Sequence, residues 1–233
     1  MTEITQEGWK NKALSMLLAQ LTSYVLLIAA TVIPSPGTVP IIPLIIAALT
    51  LAAFVVFWPF RGSMLDRIVT LVFGAISLIF VIVPFPTGKV PPDQTAADGS
   101  VLPWYSWALA MGLLLVVLVV FSFGRQMARE KREHLIRALS HAVTSGVAAL
   151  AVAGWCFLPD LGAMLAKGTV AGTVALIILI VLGLALAVAY TWVRDADPDP
   201  DIRYPWIGTG LMPVMLMGVT IAATALVLGR IIG

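Results

Sequence analysis

A chain of 233 residues that is 60% hydrophobic and only 11% charged leaves no segment outside its apolar stretches long enough to build a separate core. The net charge is +2, which gives no indication of a nucleic-acid partner. Cys156 is the single cysteine, so an intrachain disulfide and a cysteine-rich metal site are both excluded.

Seven apolar stretches follow one another along the chain. A helix rises ~1.5 Å per residue and the hydrocarbon core is ~30 Å thick, so about 20 apolar residues cross it. Prolines are predicted to end the third span at Pro84 and the fifth at Pro159. The sequence predicts an all-α fold, a polytopic membrane helix bundle with seven transmembrane helices that forms a single transmembrane domain over residues 1–233. The predicted spans are 13–33, 41–60, 68–85, 104–124, 138–158, 169–193 and 206–232.

The basic residues predict the orientation of these spans. If the N-terminus is cytoplasmic, Lys89, Lys167 and Arg230 are the only basic residues outside, and the other eleven lie inside. Such an asymmetry is the pattern that orients membrane proteins. Seven spans then place the C-terminus outside, in a multi-pass protein of the cytoplasmic membrane.

The tryptophans lie near the predicted span ends. An indole prefers the headgroup level because it is apolar and carries one hydrogen-bond donor. We therefore expect these side chains at the membrane interfaces. They are Trp9, Trp58, Trp104, Trp107, Trp155, Trp192 and Trp206.

The first span carries a polar cluster in the middle of the membrane. Gln20, Ser23 and Tyr24 have the spacing i, i+3, i+4 and so share one helix face. A buried amide and a buried phenol need hydrogen-bond partners, and another helix can supply them. One interpretation is contact between helices; the other is a binding site for a substrate or a lipid headgroup.

A second polar strip follows the start of the fifth span. His141, Thr144 and Ser145 would lie at the cytoplasmic mouth of the bundle. The functional interpretation is a pH-responsive or ligand-binding strip. The structural one is a helix end whose polar side chains bond to backbone or water.

The seventh span contains a proline. Pro213 removes one backbone hydrogen bond, which frees the carbonyl of Thr209 and predicts a kink. The kink is either a mechanistic hinge or an ordinary feature of a membrane helix. Pairs of small residues also predict close helix packing in the last three spans. Examples are Ala142 with Gly146, Gly183 with Ala187, and Gly218 with Ala222.

Two cytoplasmic connections carry charges of opposite sign. The sequence predicts that they pair with each other, or that the acidic one binds a basic partner. A calcium loop is disfavoured because prolines hold the acidic run extended, and no metal site is predicted. The basic residues are Arg125, Arg129, Lys131 and Arg132, and the acidic ones are Asp195, Asp197, Asp199 and Asp201.

Motifs for catalysis are missing, and no Asp, Glu, Lys or Arg lies in the middle of a span. The first functional hypothesis is therefore a non-catalytic integral membrane protein, a subunit or scaffold of a larger complex, with no cofactor. Its expected partners are the lipid bilayer and either another membrane protein or a second copy of the chain. One alternative is a facilitator or permease for a small or lipid-like solute. Another is a sensor of pH or metal.

Overall fold

The computed structural model of the protein describes residues 3–33, 40–60, 64–83, 102–128, 135–166, 170–189 and 202–232. Within these ranges 93% of the residues are helical and none forms a strand, which confirms the all-α prediction there. The helices are α1 Glu3–Val32, α2 Ile41–Val56, α3 Met64–Ile82, α4 Pro103–Met127, α5 Leu135–Ala151, the 3₁₀ segment Val152–Phe157, α6 Leu158–Ala166, α7 Val170–Ala189 and α8 Pro205–Ile232.

Five of the described segments are long and apolar enough to cross a membrane. They are Asn11–Thr31, Met64–Ile82, Pro103–Met127, Ile136–Ala163 and Pro205–Leu228. Two shorter apolar helices, Ile41–Val56 and Gly172–Leu186, coincide with the second and sixth predicted spans. By length and composition, the fold is compatible with a helical membrane bundle.

The fifth stretch does not end where the sequence predicts. α5 ends at Ala151, the chain continues as the 3₁₀ segment, and α6 begins at Leu158. Pro159 is the second residue of α6, where its missing N–H costs the helix no internal hydrogen bond. Helical conformation therefore runs past Pro159 as far as Ala166, and the prediction of a helix end at this proline is wrong.

Two helical paths form the centre of the bundle. In an apolar stretch of 18 residues within Pro205–Leu228 of α8, 67% of the residues are buried, and 72% are buried in the corresponding 18 residues within Ile136–Ala163. The corresponding values are 33% in α1, 28% in α3 and 22% in α4. α8 packs against α1, α2, α5, the 3₁₀ segment and α7. The peripheral helices direct Leu, Val and Ile side chains outward, as a surface facing lipid would require.

Glycines bring the central helices close together. Gly218 of α8 lies against the carbonyl of Ala151, and Gly154 of the 3₁₀ segment lies against the carbonyl of Gly218. A Cβ atom at either glycine would overlap that backbone oxygen. Nearer the start of α8, Gly210 adjoins the carbonyl of Met16 in the same way. Gly218, which the sequence marks as a close-packing position, thus packs against helices of the same chain.

Pairs of contacts give the relative directions of neighbouring helices. Lys12 lies 5.3 Å above the ring centre of Trp206, and Met16, one turn later in α1, adjoins Gly210, one turn later in α8. α1 and α8 are therefore parallel.

The same comparison applies to α3 and its neighbours. Thr70 contacts Ser145 of α5, and Ser77 contacts Leu150 further along α5, so α3 and α5 are parallel. Ser77 also contacts Trp107 near the start of α4, whereas Asp66, at the start of α3, contacts Arg125 near the end of α4. α3 and α4 are therefore antiparallel.

Candidate functional site

Tyr24 connects three elements of the bundle. Its hydroxyl donates a 2.6 Å hydrogen bond to the carbonyl oxygen of Leu179 in α7. Its ring meets Trp155 edge to face, with the ring centres 5.7 Å apart. Gly183 of α7 lies beside the phenol, since a Cβ there would be in ordinary van der Waals contact with the hydroxyl oxygen, at 3.5 Å. The structure therefore assigns Tyr24 to contact between helices.

Ser23 and Gln20 share the face of Tyr24 but differ in their bonding. The Ser23 hydroxyl is bonded within α1, 2.7 Å from the carbonyl oxygen of Ala19 and 3.1 Å from that of Gln20. Gln20 is only 2% exposed, and neither its Oε1 nor its Nε2 has a hydrogen-bond partner among the described residues. The face is continuous, as predicted, yet one of its three polar groups is not satisfied by the protein.

Trp155 joins the 3₁₀ segment to α8. Its side chain is fully buried, and its Nε1 donates a 2.8 Å hydrogen bond to the carbonyl oxygen of Val214. Trp58 and Trp107 are also buried in the core. These three indoles face the interior of the bundle, which their positions near span ends did not indicate.

A second buried polar group joins α3, α4 and α5. The Ser77 hydroxyl donates a 2.8 Å bond to the carbonyl oxygen of Leu150 and accepts a 3.0 Å bond from Nε1 of Trp107. Sequence reasoning did not single out Ser77. Its signal is a hydroxyl in the middle of an otherwise apolar span, which needs partners inside the protein.

The predicted strip of His141, Thr144 and Ser145 faces neighbouring helices in part. The His141 ring stacks on Phe60, with ring centres 4.6 Å apart and planes 28° from parallel. Ser145 is buried; its hydroxyl accepts a 3.1 Å bond from Thr70 and lies 3.1 Å from the carbonyl oxygen of Ala142. Thr144 is half-buried on the same helix. The contacts of His141 and Ser145 favour packing over an open ligand site.

Thr209 and Pro213 are both buried in α8. The Thr209 hydroxyl donates a 3.3 Å bond back to the carbonyl oxygen of Pro205. α8 is continuous from Pro205 to Ile232 and passes through Pro213 without a break. The proline therefore lies inside a central helix, one residue before the carbonyl that Trp155 contacts.

Arg125 forms a salt bridge with Asp66, at the start of α3. The two side chains are 17% and 13% exposed, so the pair is largely buried. The sequence did not suggest this partner. Arg129, Lys131, Arg132 and the acidic residues Asp195, Asp197, Asp199 and Asp201 lie outside the described residues. Pairing between the two charged connections stays a prediction.

Across the described ranges, no group of three or more His, Cys, Asp or Glu side chains is arranged to hold a metal ion. Comparison of the chain with protein-family models, with curated proteins and with solved structures gives no match in any of the three. The class of the protein is therefore defined by its fold alone. It is an all-helical bundle built from apolar helices, five of which have the length and composition of membrane spans.

Proposed function

We propose that the protein is a non-catalytic integral membrane protein that acts as a structural subunit or scaffold of a larger membrane complex. The proposal rests on how closely the helices pack in the interior of the bundle. Where a permease would place a path between α1, α5 and α8, the glycine contacts bring backbone against backbone. The polar groups around this centre mostly bond from helix to helix.

The proposed topology has seven spans in the cytoplasmic membrane, with the N-terminus inside and the C-terminus outside. The helix directions support it. α1 and α8 are parallel, which agrees with an odd-numbered first and seventh span. α3 is parallel to α5 and antiparallel to α4, which agrees with alternate crossing of the third, fourth and fifth spans. The basic residues then lie mostly inside.

A closely packed interior suits a subunit whose function depends on its surface. Side chains that alternate between states during transport need space and exchangeable partners. In this bundle Tyr24, Ser77 and Trp155 each hold a backbone carbonyl of another helix. Such contacts fix helix positions and therefore favour a scaffold.

The experiment is purification of the full chain from its native membrane in a mild detergent, followed by native mass measurement. A scaffold predicts a particle heavier than the 24.8 kDa chain plus its bound detergent. Denaturing analysis of the same particle distinguishes a second copy from a different protein. A strictly monomeric particle without a partner contradicts the proposal.

One observation favours the alternative, a facilitator for a small solute. Gln20 presents a buried amide that no described protein group satisfies. A path along α1 and α8 would make nearby positions accessible to water. Cysteines at Gln20, Ser145 and Thr209, introduced singly into a Cys156→Ser protein, test this directly. Uniform lack of reaction from both sides of the membrane removes the facilitator.

A further inference from the structure

Arg67 lies in the first turn of α3 and is half-buried. Its Nε atom is buried and has no hydrogen-bond partner among the described residues. Asp66, the preceding residue, forms its salt bridge with Arg125 of α4. A buried N–H without an acceptor is costly, and a guanidinium group bonds most strongly to carboxylate and phosphate oxygens. Arg67 therefore needs an anionic acceptor at Nε, which no described residue supplies.

Gly74 shows which groove of the bundle Arg67 faces. Seven residues turn a helix by about 700°, so the Cα–Cβ directions at these two positions differ by only about 20°. A Cβ at Gly74 would meet Leu51 of α2 and Ala149 of α5. The Cα–Cβ bond of Arg67 is therefore directed toward the groove between α2 and α5, two turns closer to the start of α3.

Contacts between α3 and α5 give the height of Arg67 along this groove. One turn after Arg67, Thr70 contacts Ser145 of α5. His141 is one turn before Ser145, and the two helices are parallel, so Arg67 and His141 lie at about the same height. The ring of His141 stacks on Phe60, which follows the end of α2. Arg67 thus lies at the end of the groove, where the chain passes from α2 to α3.

The exposed side of α3 begins directly beside Arg67. Positions three residues before and four residues after it are its neighbours on the helix surface, and these are Met64 and Leu71. Their side chains are 68% and 41% exposed. In a membrane such side chains contact acyl chains, and the first turn of a spanning helix lies near the headgroups. A phospholipid lying along α3 can therefore reach Arg67 with its phosphate.

The charges at this end of the bundle favour an anion. The contacts of Phe60 with His141 and of Asp66 with Arg125 bring the segments 57–67 and 125–141 together. These segments contain seven Lys or Arg residues and three Asp or Glu residues. Such an excess of positive charge attracts anionic lipids, whereas a zwitterionic lipid would bring its own ammonium or choline group into the same field.

We propose that Arg67 binds the phosphate of an anionic phospholipid at the end of the groove between α2 and α5. Its Nε–H donates to a phosphate oxygen, and the acyl chains lie along the exposed side of α3. In the topology proposed above, this lipid belongs to the cytoplasmic leaflet. The site goes beyond the scaffold function and does not require it. A bilayer with the same lipids on both sides tests the site whichever way the chain is oriented.

The first test is a high-resolution structure of the full wild-type chain in nanodiscs of phosphatidylglycerol. The expected result is a lipid headgroup with a phosphate oxygen within about 3.2 Å of Arg67 Nε. A carboxylate of Glu130 or Glu133 bonded to this atom in place of a lipid overturns the proposal. An inorganic anion without attached acyl chains, or no anion at all, also overturns it.

The second test measures lipid binding to the full chain by native mass spectrometry. Phosphatidylglycerol and phosphatidylcholine with identical acyl chains are added separately, and an apparent Kd is obtained for each. The wild-type chain should bind phosphatidylglycerol more tightly. Arg67→Gln should raise the apparent Kd for phosphatidylglycerol about fivefold or more, the factor for one cationic contact near a membrane surface, and leave that for phosphatidylcholine unchanged. Equal weakening of both lipids overturns the proposal.

Arg203→Gln is the matched control for net charge. Arg203 precedes α8 at the same end of the bundle, where Gly208 adjoins the carbonyl of Phe57. It is exposed and lies against the ring of Tyr204. Its substitution should leave the Kd for phosphatidylglycerol nearly unchanged. An equal rise in Kd for this variant and Arg67→Gln would indicate diffuse attraction and overturn the site.

Arg67→Lys provides a second variant that keeps the positive charge in the groove. Lysine retains the attraction for an anion but lacks the Nε–H and the planar fork of the guanidinium group. Its apparent Kd for phosphatidylglycerol should therefore fall between those of the wild-type chain and Arg67→Gln. Wild-type affinity in Arg67→Lys would overturn the bond from Nε to the phosphate.

Discussion

Trp155 donates a hydrogen bond of 2.8 Å from its indole Nε1 to the carbonyl oxygen of Val214. This bond ties the 3₁₀ segment to the middle of α8, next to the close backbone contact between Gly154 and Gly218. The most buried parts of the chain are thus held together by a side-chain bond and by the absence of side chains at two glycines.

Trp155→Phe keeps an aromatic ring in place but removes the only donor to the Val214 carbonyl from the 3₁₀ segment. We expect the free energy of unfolding to fall by about 0.6–2 kcal/mol, the range for hydrogen bonds between membrane helices. Equilibrium unfolding in mixed detergent micelles measures it. Trp206→Phe is the control, because that half-buried ring contacts Lys12 and bonds no carbonyl in the core. Equal losses in the two variants would count against the role of the indole bond.

Gly218→Ala should destabilise the bundle. A methyl group at Gly218 overlaps the backbone carbonyl of Ala151, which cannot rotate away, so α8 and α5 must separate. We expect a loss of at least about 2 kcal/mol in the free energy of unfolding. Gly112→Ala is the matched control, since no atom lies within 4 Å of a Cβ there. It should leave stability unchanged or raise it by up to about 1 kcal/mol.

Asp66 and Arg125 should behave as a coupled pair. Removal of either charge, by Asp66→Asn or Arg125→Gln, leaves the other largely buried and should cost about 1–3 kcal/mol. The double variant should cost less than the sum of the two, which a thermal unfolding series detects. Arg203→Gln is the control, since Arg203 is exposed and its guanidinium lies against the hydroxyl and the ring of the adjacent, exposed Tyr204. Strict additivity at Asp66 and Arg125 would contradict the salt bridge.

The proposed topology predicts which exposed positions share a side of the membrane. In a Cys156→Ser protein, single cysteines at Ile33 and Val83 should react with an impermeant maleimide added to intact cells. Cysteines at Asn11 and Arg203 should react only after permeabilisation, because both precede outward-running spans. All four side chains are exposed, so failure to react reports the side of the membrane and not burial. Reaction of the Arg203→Cys protein in intact cells would contradict the seven-span arrangement.

The polar face of α1 shows how far sequence reasoning extends. The spacing of Gln20, Ser23 and Tyr24 is enough to place them on one helix face, because the helical period is fixed. Their partners depend on which helix lies opposite and at what height. Tyr24 bonds to a residue 155 positions away, Ser23 bonds within its own helix, and Gln20 bonds to no described group.

Arg125 and Trp155 also show which features the sequence predicts and which depend on the tertiary structure. The sequence places Arg125 at the end of an apolar stretch and indicates that it needs a counter-charge, but several acidic residues could supply one. Because α3 and α4 pack antiparallel, Arg125 near the end of α4 lies beside Asp66 at the start of α3, and Asp66 is its partner. Trp155 lies near the end of a predicted span, yet only the continuation of the helical path past Pro159 and its packing on α8 turn the indole inward.

By itself, the sequence determined the helical class, the positions of the apolar stretches and the faces on which polar residues lie. These properties follow from hydropathy and from the helical period, and both are local. Only the tertiary structure decided that α8 and the path from α5 to α6 are central, and that their glycines meet backbone to backbone. Those contacts join residues far apart in the chain. Apolar helices of similar composition have similar hydropathy, so hydropathy does not indicate which of them is central.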